Sequence, residues 1–323
     1  MKSSSPKLDI LFLCVALAML FLAGDSPVIR TAFLSLSGIV LEALPFMLIG
    51  AIAGGLIEEY LPESAVTKLR YAKTKAIMIA ALAGLVLPVC ECAVIPVLYR
   101  LLRKGIPPEA ALAYMLAGPV VNPVVFTSTL VAYQFNPVVP VLRVIAGYVI
   151  AVSVAIIVSR ILKGKIVRDD ISNPSPCEIK GNKKEPRIIR ASRHAAEDIL
   201  KAGKYFVMGA LFAGLLQSAF GRNALLSIAS NPVLAIAGMM VLAFLLSICA
   251  DGDAFVAASF GKAFFPLSSQ LAFMLFGPML DIKLLLMYKI VFPWKTILVL
   301  IPCITVTVFL ASLLLHLLIG AVL

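Results

Sequence analysis

Leu87–Pro96 reads LPVCECAVIP and sets two thiols, Cys90 and Cys92, on either side of a carboxylate, Glu91. Thiolates are soft ligands that select Zn(II), Cu(I) or trivalent metalloids. Pro88 and Pro96 bracket the group, which lies within an apolar segment from about Ala76 to Leu102. A carboxylate in a bilayer-length segment is costly unless it is paired, hydrated or protonated. Proline removes a backbone donor, and lipid cannot satisfy the carbonyl that loses it. The expectation is therefore broken backbone over Leu87–Pro96, at a polar site within a membrane. The competing reading makes the cysteines small buried hydrophobes with no ligand role.

A second group follows later in the chain, in Ser247–Phe255 (SICADGDAF): Cys249, then Asp251 and Asp253 with Gly252 between them. Two repeat-related breaks would bring Cys249 towards Cys90 and Cys92, giving a soft-ion site of three thiols. Glu91, Asp251 and Asp253 could bind a cation, relay protons or pair internally; acids at a water interface would be harmless. Asn122 and Asp281 each stand three residues after a Gly-Pro pair and could line the same cavity. Lys283 neutralises Asp281 or snorkels outward, and a structural ion pair is as good a reading as a functional one. Glu42 reads as a helix-packing acid ahead of a proton carrier, and His316 as core or interfacial. Cys14, Cys177, Cys303 and His194 receive no role.

Positioning these residues falls to long apolar segments. They run over about 10–23, 33–57, 76–102, 109–133 and 137–162, then 197–220, 232–260, 267–290 and 293–318. LAYMLAGP (Leu112–Pro119) matches LAFMLFGP (Leu271–Pro278) at six of eight positions, and 271 minus 112 is 159. The same separation pairs Gly50 with Gly209, Gly55 with Gly214, Cys90 with Cys249, Pro107 with Pro266 and Asn122 with Asp281. Chance apolar similarity does not hold one register through Cys, Gly and Pro, so the chain reads as an internal duplication. Its expected parts are a retained N-terminal span and link (1–30), a first repeat (31–162), a basic linker (163–196) and a second repeat (197–323). Duplication with interrupted segments in matching places points to a transporter core with its site between repeats.

Composition agrees with this class. The chain of 323 residues is 61% hydrophobic and 14% charged, with mean hydropathy +1.03. These values exclude an ordinary soluble domain and describe an all-α polytopic membrane protein. The net charge of +11 comes largely from short loops; Lys163–Arg193 alone holds nine Lys or Arg against four Asp or Glu. It therefore sets orientation and calls for no nucleic acid. The N-terminus, Lys68–Lys75, Arg100–Lys104 and the 163–196 loop are all expected on the cytoplasmic side. That holds if Ala76–Leu102 is a re-entrant hairpin, in which case each repeat crosses an odd number of times and the two are inverted. Nine full spans with parallel repeats is the alternative, so the range is about seven to nine spans. One Trp and two His leave little material for haem or quinone chemistry, and no cofactor is implied.

The stretches PVCECAVIPV, RLLRKGIPPEAALAYMLAGPVVNPVVFTSTL, SICADGDAFVAASF and FGPMLDIK resemble a family of predicted bacterial permeases, the UPF0718 type, which includes the organoarsenical efflux permeases. The resemblance covers nearly all of the chain apart from the first span and the central loop. It implies a multi-pass permease of the inner membrane, not an enzyme, with two repeated halves. It also implies trivalent arsenic bound by membrane cysteines, a role that maps onto Cys90 and Cys92; the repeat argument adds Cys249. Branches of such a family also work with a second, smaller membrane or envelope protein, and a homo-oligomer is equally compatible. The leading expectation is an exporter of a soft metal or metalloid species, with Zn(II) or a sulfur oxyanion as other small-ion substrates. A membrane thiol oxidoreductase calls for Cys-x-x-Cys, whereas the spacing here is Cys-x-Cys. A non-transporting assembly subunit would not need paired breaks.

Overall fold

The computed structural model describes residues 73–162, 166–168, 231–261 and 265–322, together with 37, 38, 40, 41, 45, 48, 50, 203 and 205–211. The expected first span, Glu42, Cys14, Cys177, His194 and most of the basic linker lie outside them. Among the described residues the regular structure is entirely helical. The first five helices are α1 (Lys73–Leu82, extended by a 3₁₀ turn over Ala83–Leu85), α2 (Glu91–Arg103), α3 (Pro108–Ala117), α4 (Pro123–Ala132) and α5 (Val138–Leu162). After the linker come α6 (Pro232–Leu246), α7 (Ala250–Gly261), α8 (Leu267–Phe276), α9 (Ile282–Val291) and α10 (Trp294–Val322).

Proline and asparagine set many of these boundaries. Pro108, Pro123 and Pro232 each sit in the first turn of their helix, where a missing N–H costs nothing. Asn122 and Asn231 cap α4 and α6 by accepting from the N–H two residues on, and Asn136 does the same ahead of α5. Three helices have counterparts 159 residues on: the bounds of α3 match those of α8, those of α4 match α9, and the start of α2 matches the start of α7.

The long apolar helices α5 and α10 pack on each other and form the scaffold. At about 1.5 Å per residue, the 25 residues of α5 reach about 37 Å, enough to cross a hydrocarbon core. α1 and α3 pack together and on α5, while α6 and α8 pack together and on α10.

Contacts at the helix ends give each element its direction. At one end of the bundle, Ser159 near the C-terminus of α5 donates to Glu109 in the first turn of α3, at 3.3 Å. Beside that end, Ile166–Arg168 lie over the junction of α9 and α10: Thr296 donates to the Ile166 carbonyl at 2.8 Å, and the Arg168 N–H to that of Val291 at 3.3 Å. Ile166 and Val167 are buried there, so this part of the expected basic linker is docked. At the opposite end, Tyr133 after α4 donates to Gln270 in α8 at 2.7 Å, and Ser268 meets His316 of α10 at 3.3 Å. Between the two ends, Gly147 of α5 faces Val120 and Leu275, so the chain breaks after α3 and α8 sit near the middle of the scaffold helix.

Two hairpins follow from these directions. The C-terminal ends of α1 and α3 meet where Gly84 abuts the backbone of Gly118 and Val121. α1 therefore runs inward, and after the break at Val86–Cys90 α2 runs back out to the turn at Lys104–Pro107. From the other end, α6 meets α8 at Ala243 and Gly277, and α7 returns to Phe260 and Phe265, which pack edge to face. The break in the first hairpin is shorter than the expected Leu87–Pro96. Helix resumes at Glu91 and Pro96 lies inside α2, where it removes the usual donor to the Cys92 carbonyl.

Candidate functional site

The hairpin tips touch. The N–H of Ala250, first residue of α7, donates to Glu91 Oε2 at 3.4 Å. One of the unpartnered donors at the start of α7 is thus satisfied by a carboxylate from the other hairpin. The two residues are 159 apart, the separation that relates the helix bounds.

Cys90 is the N-cap residue of α2 and Glu91 and Cys92 its first turn, while Cys249 immediately precedes α7. All four are buried, and the three cysteines are free thiols. The sulfurs of Cys92 and Cys249 and a carboxylate oxygen of Glu91 lie within 4.8 Å of one another. The Cys92 thiol is within hydrogen-bonding reach of those of Cys249 and Cys90. Cys90 thus borders the three-ligand group without belonging to it. Two thiols and a carboxylate suit a borderline or soft ion held at about 2.0–2.3 Å from each ligand.

A buried ammonium completes the cluster. Lys283, 1% exposed in the first turn of α9, reaches Glu91 Oε1 at 3.3 Å and Asp281 Oδ2 at 3.5 Å. Asp281 caps α9, its Oδ1 accepting from the Leu284 N–H at 2.7 Å. Its Oδ2 faces Lys283 but accepts no hydrogen bond among the described residues. With both acids ionised, two carboxylates share one ammonium, and the cluster carries an excess of one negative charge before any thiol ionises.

Asp253 is fully buried one turn into α7 and belongs to a different network. Its Oδ2 accepts from Arg143 of α5 at 2.7 Å. The same guanidinium donates to Thr129 Oγ at 2.8 Å and to the carbonyls of Ala250 and Met274, each at 3.2 Å. Arg143 thus ties α4, α5, α7 and α8 together at the second hairpin, as Lys283 ties α9 to the first. Asp251 is half-buried at the start of α7 and stands outside the ligand group. Asn122 is committed to capping α4. An open cavity of about 350 Å³ lies between α4 and α7, lined by Ala132, Tyr133, Gln134, Phe255, Ala258 and Ser259.

Neither a role for Arg143 nor the pairing of Lys283 with Glu91 is legible in the sequence. A lone Arg near a helix end reads as a snorkelling residue. Its place as the sixth residue of a helix otherwise free of charge until Arg160 was the available signal.

Comparison with known proteins gives a consistent picture. The family ArsP_1, described as predicted permease, matches residues 29–317. The chain is 36% identical over 293 residues to the UPF0718 protein YcgR of Bacillus subtilis, covering 88% of this chain and 98% of that protein. It is 35% identical over 264 residues to a Streptococcus mutans protein provisionally described as a two-component membrane permease complex subunit, covering 80% of this chain and 86% of the other. No solved structure matches.

Proposed function

Starting from the fact that this chain belongs to the ArsP_1 family of predicted permeases, we propose that it is a secondary transporter exporting a soft metal or trivalent metalloid species. The two halves are inverted repeats, and the α1–α2 and α6–α7 hairpins re-enter the cell membrane from opposite faces. The observation that carries this reading is the meeting of Cys92, Cys249 and Glu91 within 4.8 Å at apposed hairpin tips. Broken helices converging midway along a spanning helix are the usual architecture of a site reached alternately from two sides. Burial of every ligand argues against a surface thiol pair poised for disulfide exchange. Zn(II) is the second substrate reading, favoured by the carboxylate among the ligands. The basic linker and the Arg103–Lys104 turn lie at the cytoplasmic end, by the distribution of positive charge. The Streptococcus relative's description supports a partner subunit that completes the permease.

Uptake into inverted membrane vesicles, against arsenite, methylated arsenicals, Zn(II) and sulfur oxyanions, tests the proposal. One thiol-seeking species should accumulate in wild-type vesicles and not in vesicles carrying Cys92→Ser with Cys249→Ser. Equal accumulation by the double variant removes the thiols from the transport step.

A further inference from the structure

We propose that Lys283 is a tethered stand-in cation: it occupies Glu91 when the site is empty and moves wholly to Asp281 when a cationic substrate arrives. This deepens the thiol–carboxylate reading above and rests on it. Glu91 is the one group shared by the two arrangements, since it is both the carboxylate of the ligand set and the acceptor of the Lys283 ammonium. A cation bound to Cys92, Cys249 and Glu91 therefore competes with that ammonium for the same carboxylate.

The displaced ammonium has a place to go. Asp281 Oδ2 is buried, lies 3.5 Å from Nζ and accepts no hydrogen bond among the described residues. Lys283 is bounded by both carboxylates and lies close enough to both thiols to act on them electrostatically. Its backbone is pinned by Gly209, whose missing side chain lets the 205–211 segment close on the Lys283 Cα. The stem can swing while the helix stays fixed. A resident ammonium lowers affinity for a cation and lets a bound ion leave, which a carrier needs and a storage site does not. It also discriminates by charge. A divalent ion meets the ammonium's repulsion, whereas a neutral dithiol reagent does not.

The test is equilibrium binding of two probes to the purified full-length protein in detergent. One probe is Zn(II). The other is phenylarsine oxide, which forms two S–As bonds and releases its oxygen with both thiol protons as water. Lys283→Met should tighten Zn(II) binding about tenfold or more, with the arsenical moving less than about threefold. Lys283→Arg keeps the charge and should stay within about threefold of wild type for both probes. Asp281→Asn keeps the α9 cap but removes the receiving charge, and should weaken Zn(II) by about threefold or more.

A purely structural ion pair gives the opposite sign, with Lys283→Met weakening both probes. Unchanged or weaker Zn(II) binding by Lys283→Met, in protein eluting as wild type, overturns the inference and leaves the thiol site standing. Should Lys283→Met fail to fold, wild-type Zn(II) affinity in Asp281→Asn overturns it instead. Wild-type protein binding neither probe through Cys92 and Cys249 removes the site and the inference together.

Discussion

Replacing Arg143 by Met leaves the Asp253 carboxylate buried without its counter-charge, and the consequence can be worked from the geometry. The guanidinium makes a 2.7 Å ion pair with Asp253 at 1% and 3% side-chain exposure. It also supplies the donors for Thr129 Oγ and two backbone carbonyls. Breaking a buried pair from one side costs about 3–5 kcal/mol, mostly from the stranded charge. The orphaned hydroxyl and carbonyls add to this, though less than additively because they share one donor group. Arg143→Met with Asp253→Asn removes both charges and should recover about 2 kcal/mol or more of that loss. Reversible unfolding in mixed detergent micelles, followed by fluorescence of Trp294, the chain's single tryptophan, gives the four free energies of the cycle. A loss below about 1 kcal/mol in Arg143→Met, or strictly additive effects in the double variant, would show that the network does not hold the second hairpin.

Three further outcomes follow from the packing. Gly84→Ala places a methyl about 2.5 Å from the Val121 carbonyl oxygen and 2.9 Å from the Gly118 Cα, so backbone must move; stability falls by about 1–3 kcal/mol, whereas Gly38→Ala, with nothing within 4 Å among the described residues, stays within about 1 kcal/mol of wild type by the same micelle assay. Asn122→Ala removes the cap on Val124 N–H and costs about 1 kcal/mol, while Asn122→Asp keeps an acceptor there and costs less. Single cysteines at Lys104→Cys and Gln134→Cys, in a chain whose own cysteines are replaced, should react with an impermeant maleimide from opposite faces of the membrane. Labelling of both from one face contradicts the placing of the start of α3 and the end of α4 at opposite ends of the bundle.

The elements were legible where their signals are local. Asn-Pro at 122, 136 and 231 marks three helix starts, because an Asx side chain caps and proline fixes the first turn. Gly118-Pro119 and Gly277-Pro278 mark the breaks that lie at Gly147 of α5 and at Ala243 of α6. The separation of 159 residues pairs Cys249 with Cys90 and gave the expectation that Cys249 would approach both Cys90 and Cys92; in the structure it meets Cys92 and Glu91, with Cys90 beside the group. Pro96 was misleading: it lies inside α2, which runs through it at the loss of one backbone donor. Asn122 was expected beside Asp281 in the cavity; in the structure each of the two side chains caps the helix that follows it, because an orphan N–H at a helix start attracts an Asx acceptor. Partner choice among charges was the least legible. Lys283 is two residues from Asp281 and 192 from Glu91, and it reaches both. Arg143 and Asp253 come from unmatched positions in the two halves, so the repeat register gave no hint of their pairing.

The proposed site depends on Cys92 and Cys249 facing each other across the hairpin tips. Its most direct test leaves these as the chain's only thiols, by Cys14→Ala, Cys90→Ser, Cys177→Ala and Cys303→Ala, and treats purified protein with phenylarsine oxide before alkylation and intact mass measurement. The account predicts one bridging arsenic adduct per chain, both thiols protected from alkylation, and recovery of both with a small dithiol. Two alkylated thiols with no adduct, or an adduct that persists after Cys249→Ser, would contradict it.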